Sequence, residues 1–357
     1  MNRRLTCLLL AALIMYMAPV LGRAADARRE AADILRATGV QGGLAVHLNC
    51  VDGKLAAAIG ADERFVVHGL APTTESVAAA RAHIKSVGLY GRVSVAQHGG
   101  RDLPYIDNIV NLLICEEPSD VPMREIIRVL VPNGVAYLRQ DGKAKKIVKP
   151  RPPEIDEWTH YMHDPSNNAV AHDTVAGPPR RLQWTSDPKW TRSHEKTSGV
   201  HALVSAAGRI FCIMDEAPMA SIQLPADWRL IARDAFNGAP LWKRSIGEWY
   251  PHLWPLKSGP AKLPRRLVAV GDRVFVTLGY KAPVTALDAA TGKTILTYEG
   301  TAGTEGLIVS DGVLFANIIE DLKTPVFKPK DPFVWNEAAR ARPIDKWTRG
   351  GHRQSIG

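Results

Sequence analysis

Asp234-Ala-Phe-Asn-Gly238-Ala-Pro-Leu-Trp242 returns as Asp288-Ala-Ala-Thr-Gly292-Lys-Thr-Ile-Leu296, each time just after an apolar run. Asp bonds its own backbone a few residues on, and Gly accepts the positive φ of a tight turn. An apolar residue four places after each Gly then starts the next strand. Such a turn joins an inner to an outer strand of a four-stranded blade, and its recurrence predicts a repeat architecture.

Strand signals continue on both sides of this motif. Residues 201–205 turn at Ala207-Gly208 into 210–214, followed by 228–235 and 241–244. A second set runs 266–270, turns at Gly271-Asp272, continues 274–278, and adds 284–287 and 294–298. A third begins at 306–309 and turns at Asp311-Gly312 into 314–319. Alternating apolar residues with Gly turns predict antiparallel hairpins. The interval from Gly208 to Gly271 is 63 residues and that from Gly271 to Gly312 is 41, which places an insertion between Pro240 and Pro264. Its aromatics, Trp242, Trp249, Tyr250, His252 and Trp254, are expected to pack over sheet ends rather than line a mouth.

The stretch Leu287-Asp-Ala-Ala-Thr-Gly-Lys293 resembles the repeat of pyrroloquinoline quinone (PQQ) type propellers, which include quinoprotein alcohol dehydrogenases and the outer-membrane assembly propeller. That resemblance implies a β-propeller, of which Trp184 to Glu320 supplies about three blades. A closed ring needs about four to eight. From Asp321 the chain turns polar and the repeat stops, so the sequence reads either as a fragment of a longer array, the preferred reading, or as a chain that closes its ring by oligomerisation.

At the other end, Arg3 and Arg4, an apolar run from Leu5 to Leu21 and Gly22-Arg23-Ala24 have the three parts of a secretory signal, expected over residues 1–24. The apolar run is short for a membrane span of about 20 residues. The mature chain is therefore read as exported, periplasmic or secreted, with no stable membrane span after cleavage. Formal charge is +9, or +6 once Arg3, Arg4 and Arg23 leave with the signal. The basic residues are scattered and no nucleic-acid-reading motif accompanies them, so no nucleic-acid partner is expected. Cys50, Cys115 and Cys212 are scattered too, without a C-x-x-C, and read as small buried apolar residues.

Between these ends, residues 25–142 alternate helix and strand. Helices are predicted near 27–38, from Gly53, over 74–87 and over 122–130, with strands at 43–48, 64–68, 93–96, 109–115 and 135–138. Repeated β-α units predict an α/β domain with a doubly wound parallel sheet. The fold class is thus α/β plus all-β.

Val46-His-Leu-Asn-Cys-Val-Asp-Gly53 resembles motif I of class I S-adenosylmethionine (SAM) dependent methyltransferases. Arg128-Val-Leu-Val-Pro-Asn-Gly134 resembles their late R-V-L-x-P-G-G segment, and the helix ending in Gly88-Leu-Tyr-Gly91 fits as well. The resemblance implies a SAM pocket at His47, Asn49, Val51, Gly53 and Ala71. Asn49 and Val51 replace glycines, and a β-branched Val offers neither clearance nor φ > 0. Ala71 falls where an acid would bind the ribose, and Asn111 where an acid is usual after the fourth strand. The pocket therefore reads as vestigial, with SAM not expected to bind.

Residues 143–157 carry Lys143, Lys145, Lys146, Pro150, Pro152 and Pro153 and are expected to form an extended basic linker, with the propeller repeats over 158–357. Asp156-Glu-Trp-Thr-His-Tyr-Met-His-Asp164 and the following His172-Asp173 hold metal-ligand types. Should a metal bind, His160, His163, Asp164 and His172 are the candidate ligands. The competing reading, which is preferred, leaves no metal: Trp158-x-x-Tyr161-x-x-Asp164-x-x-Asn167, followed by Arg181-Leu-Gln-Trp184, resembles the stretch by which quinoprotein propellers enter their first blade.

Taken together, these features predict an exported binding or scaffold protein with a protein or polysaccharide partner, and no catalytic residue is identified. The PQQ resemblance implies one alternative, a periplasmic quinoprotein oxidoreductase using PQQ with calcium. The methyltransferase resemblance implies a second.

Overall fold

The computed structural model describes residues 26–116, 119–140, 142–175, 177, 182–187, 200–218, 225–249 and 263–319. The expected signal over 1–24, the aromatics Tyr250, His252 and Trp254, and the polar stretch from Asp321 lie outside the described residues. The chain divides into two compact units, one up to Pro152 and one from Pro153.

The first unit is a six-stranded sheet. Its strands are β1 (Gly43–Leu48), β2 (Phe65–Ala71), β3 (Val93–Gln97), β4 (Val110–Cys115), β5 (Leu130–Gln140) and β6 (Lys143–Val148), in the order β3-β2-β1-β4-β5-β6. Strands β1 to β5 pair in parallel and β6 returns antiparallel to β5. Residues 26–38 form helix α1, followed by α2 (Lys54–Gly60), α3 (Thr74–Ser86) and α4 (Met123–Val129). Order reverses between β1 and β4, so the carboxyl ends of those strands part and leave a crevice there. This mixed sheet has the strand order of a Rossmann-like α/β fold.

Burial on both faces explains why β1 is almost continuously apolar. Ala45 joins the core formed with Ile34, Ile59 and Ile84 of the helices, while Val46 and Leu48 join the opposite core with Ile126 and Val129 of α4. Helix α3 starts where Thr73 accepts a bond from the Ser76 N–H, leaving one fewer orphan donor in its first turn.

One expectation is corrected here. The segment expected as a linker over 143–157 contributes β6, whose Lys-rich stretch Lys143-Ala-Lys-Lys146 bonds along β5. Lysines suit an exposed edge strand, and composition carries no trace of the backbone it pairs with. Lys146 Nζ also donates to the carbonyls of Ala37 and Thr38, 3.2 and 2.8 Å away, at the end of α1. A cation there complements the helix dipole.

The second unit is antiparallel. Strands β7 (Val200–Ala206), β8 (Arg209–Asp215), β9 (Trp228–Asp234) and β10 (Pro240–Ser245) form one meander. Strands β11 (Leu267–Val270), β12 (Arg273–Thr277), β13 (Val284–Asp288) and β14 (Thr294–Thr297) form a second. Strands β15 (Thr304–Ser310) and β16 (Val313–Ile318) form a two-stranded sheet. The described residues thus hold two four-stranded sheets and one pair, with no closed ring among them.

Alternation along the second meander places its two faces in different cores. Leu267, Ala269, Val274, Val276 and Leu287 pack with Phe211, Ile213 and Leu230 of the first meander. Val268, Phe275, Val284 and Ala286 pack with Leu307 and Val309 of β15. The period of two therefore stacks the sheets face to face.

The Asp-x-x-x-Gly motif is local in cause. Asp234 Oδ1 accepts from the N–H groups of Phe236 and Asn237, and Asp288 Oδ1 from the N–H and hydroxyl of Thr291. Gly238 and Gly292 adopt φ of 71° and 68°, which closes the turns into β10 and β14. Trp184 and Trp242 lie over these two glycines, and their indole N–H groups donate to the carbonyls of Ala235 and Ala289. Trp249 is buried beside Arg266, so Trp242 and Trp249 pack as expected rather than lining a mouth. Cys50, Cys115 and Cys212 are buried, as small apolar residues are.

Candidate functional site

In the first unit a cavity of about 370 Å³ opens at the carboxyl ends of β1 and β4, lined by Asp26, Glu30, His47, Asn49, Val51 and Glu116, among others. This is the place where an open α/β sheet binds ligands. Of the five predicted pocket residues, His47, Asn49 and Val51 line it. Gly53 and Ala71 do not.

The loop after β1 keeps more of the glycine backbone than its composition suggests. Asn49 adopts φ of 58°, a left-handed conformation Asn tolerates, and Gly53 adopts 71°. Asn133, at a glycine position of the late motif, is left-handed too, with φ of 64°. At Gly53 a Cβ would approach Ala80 to 3.0 Å, so this glycine lets α2 lie close on α3. Val51 differs, being 57% exposed on the cavity wall, where its branched side chain projects.

Ala71 is fully buried at the last position of β2, followed by Pro72 and the capping Thr73. No carboxylate stands at that strand end. The expectation for Asn111 is corrected: it is the second residue of β4 rather than a residue following it, and its Oδ1 accepts from Leu44 N–H at 2.8 Å. The acid that follows β4 is Glu116, which the sequence reading missed.

Glu116 faces His47, with 3.2 Å between Oε2 and Nε2. His47 is 5% exposed. Burial alone would lower its pKa, but the Cys50 thiol and the Glu116 carboxylate outweigh that and push it up to about 9. The shift favours the imidazolium form of His47. Glu116 is held below the usual carboxylate range, chiefly by His47. Arg139 extends the network by bonding Glu30 and lying 3.5 Å from Glu116. Alternating charges fix one another along the cavity wall.

No protein-family profile matches this chain, and no curated protein does. Solved structures do show likeness. One is a candidate S-adenosyl-L-methionine-dependent methyltransferase from Methanococcus maripaludis, 22% identical over 32% of this chain and 54% of that one, with a TM-score of 0.30. The [4+2]-cyclase SpnF is 25% identical over 31% and 43%, with a TM-score of 0.29. A SAM-dependent methyltransferase from Aquifex aeolicus is 19% identical over 30% and 62%, with a TM-score of 0.27. The chain spans about half the length of these structures. The fold assignment rests on the strand order of the sheet.

In the second unit the segment after Pro153 crosses the first strand of every sheet. The Trp158 carbonyl accepts from Ser205 N–H of β7, the Thr159 carbonyl from Ala269 N–H of β11, and His160 Nε2 from Val309 N–H of β15. His160 Nδ1 is 2.7 Å from the Thr159 hydroxyl, so both ring nitrogens have structural partners. Asp164 accepts from Ser166 N–H and hydroxyl.

The candidate ligands separate accordingly. His160 and Asp164 are engaged in the fold, whereas His163 and His172 come together with Asp156, which the sequence reading did not include. Asp156 Oδ2 is 2.7 Å from His163 Nε2 and accepts from the His172 N–H at 2.7 Å. That backbone bond leads in holding its carboxyl down to about 2. The signal available beforehand was only that Asp156 belongs to the same polar stretch. Among the described residues, no helix is long and apolar enough to cross a membrane.

Proposed function

We propose that the chain is an exported binding or scaffold protein, in which a methyltransferase-type α/β unit without a working SAM cradle is joined to part of a PQQ-type propeller array. The observation that carries this reading is the pairing of Val51, projecting from the cavity wall, with Ala71, buried where a ribose-binding carboxylate would stand. Meandering sheets stacked face to face support the propeller half. Such an array would present its surface to a protein or polysaccharide partner outside the cytoplasm.

Methyl transfer is the second reading, favoured by the left-handed backbone at Asn49 and Gly53 and by the cavity at the strand ends. Thermal unfolding of the mature protein with SAM, and separately with PQQ plus calcium, decides between the readings. A ligand at a hundredfold excess over its Kd stabilises the native state by about 2.7 kcal/mol. Unchanged melting with both supports the scaffold. A rise with SAM replaces it by the methyltransferase reading, and a rise with PQQ plus calcium by a quinoprotein oxidoreductase.

A further inference from the structure

We propose that Asp156, His163 and His172 form a binding site for a divalent transition metal of the zinc class. One donor atom from each lies within 4.8 Å of the others, the three residues coming from a single polar segment that folds back on itself. Two imidazoles with one carboxylate suit zinc and its borderline neighbours rather than calcium or magnesium, which favour oxygen donors.

Distances make occupation inexpensive. An ion about 2.0–2.2 Å from each donor holds its ligand atoms roughly 3–3.5 Å apart. Nε2 of His163 and Oδ2 of Asp156 stand 2.7 Å apart and need only part slightly. His172 is exposed, and its ring meets that of His163 edge-on at 5.2 Å between centroids, so its side chain has room to swing inwards.

His163 is the anchor. It is 2% exposed, and its Nδ1 has no hydrogen-bond partner by geometry, lying 3.4 Å from Asp164 Oδ2. A histidine that gives one nitrogen to a metal while a carboxylate faces the other is the usual way protein fixes the ring of a ligand. Asp164 therefore acts behind His163 as a positioning residue. Three protein ligands on a solvent-facing loop leave a coordination position for water or for a partner's donor group. The site does not depend on SAM or PQQ binding.

The test uses tag-free full-length protein, with Zn²⁺ uptake measured after dialysis and Co²⁺ followed by its visible ligand-field bands. One ion per chain is expected, with tetrahedral-type Co²⁺ bands. His172→Ala, an exposed substitution, should weaken Zn²⁺ binding about tenfold or more and abolish those bands while circular dichroism stays native. Asp164→Asn should weaken binding about tenfold without removing the bands. Should native protein and His172→Ala take up Zn²⁺ equally, or should neither bind, the proposal is overturned. Should Asp164→Asn fail to fold, the comparison of native protein with His172→Ala still decides.

Discussion

Trp242 of β10 covers Gly292, the turn glycine of the next meander: a Cβ at Gly292 would lie 2.6 Å from Trp242 Cε3. Trp242 Nε1 donates to the Ala289 carbonyl in the same turn at 2.9 Å. Trp184 repeats both contacts on Gly238 and Ala235. One tryptophan thus ties each turn to the chain before it, and the glycine is required twice, for its φ and for the ring above it.

Gly292→Ala therefore should cost about 2 kcal/mol or more, since positive φ and overpacking each cost about 1–3 kcal/mol. Gly271 has φ of 56° but nothing within 4 Å of its virtual Cβ. Gly271→Ala should cost only about 1 kcal/mol. Urea unfolding of both variants checks the difference, and equal losses would show that the tryptophan yields.

His160→Ala removes the acceptor for a buried backbone N–H at Val309. Leaving that donor unpaired costs about 1–3 kcal/mol. Hydrogen exchange should quicken first in β15 and β16, because this bond reaches their sheet from the segment crossing all three. Uniform quickening across the unit would argue against that role.

Stability should depend on pH through His47 and Glu116. The folded-state pKa of His47 is raised from 6.5 to about 9, so its contribution is fully present below pH 6.5 and lost as pH rises through 9. Glu116 is lowered from 4.5, so its contribution is present above that value and lost on acidification. The pair stabilises most between those two ordinary values. Glu116→Gln should flatten the loss between about pH 6.5 and 9 in denaturant titrations. An unaltered slope would mean that the ion pair is not what raises the His47 pKa.

Converting the strand-end cavity to the glycine and carboxylate pattern of the second reading should fail at one residue. Val51→Gly, at a 57% exposed position, should change stability by no more than about 1 kcal/mol. Ala71→Asp places a carboxylate at a fully buried site and should cost several kcal/mol. Calorimetric titration of Asn49→Gly with Val51→Gly then asks whether clearance alone creates SAM affinity. Binding by that double variant would show that only the loop was disabled.

Much of the fold was legible. The β-α alternation placed the strands of the first unit within a few residues, because burial on both faces leaves long apolar runs. The Asp-x-x-x-Gly turns were legible because Asp234 and Asp288 bond their own neighbours. Strand β6 was not, because an edge strand is made by hydrogen bonds to β5 and its lysines look like those of a linker. Nor was the role of Glu116, since its meeting with His47 follows from β1 and β4 being neighbours in the sheet.

What this protein's sequence determines by itself is therefore local: the helix and strand periods and the Asx-closed glycine turns. Tertiary structure alone decided which polar groups meet. It paired His47 with Glu116, turned His160 to the Val309 backbone, and brought Asp156 to His163 and His172. The reason is physical: periodicity and turn chemistry act over a few residues, while His47 meets Glu116 and His160 meets Val309 only after strands far apart in sequence have packed, and Asp156, His163 and His172 meet only where their own polar segment folds back on itself.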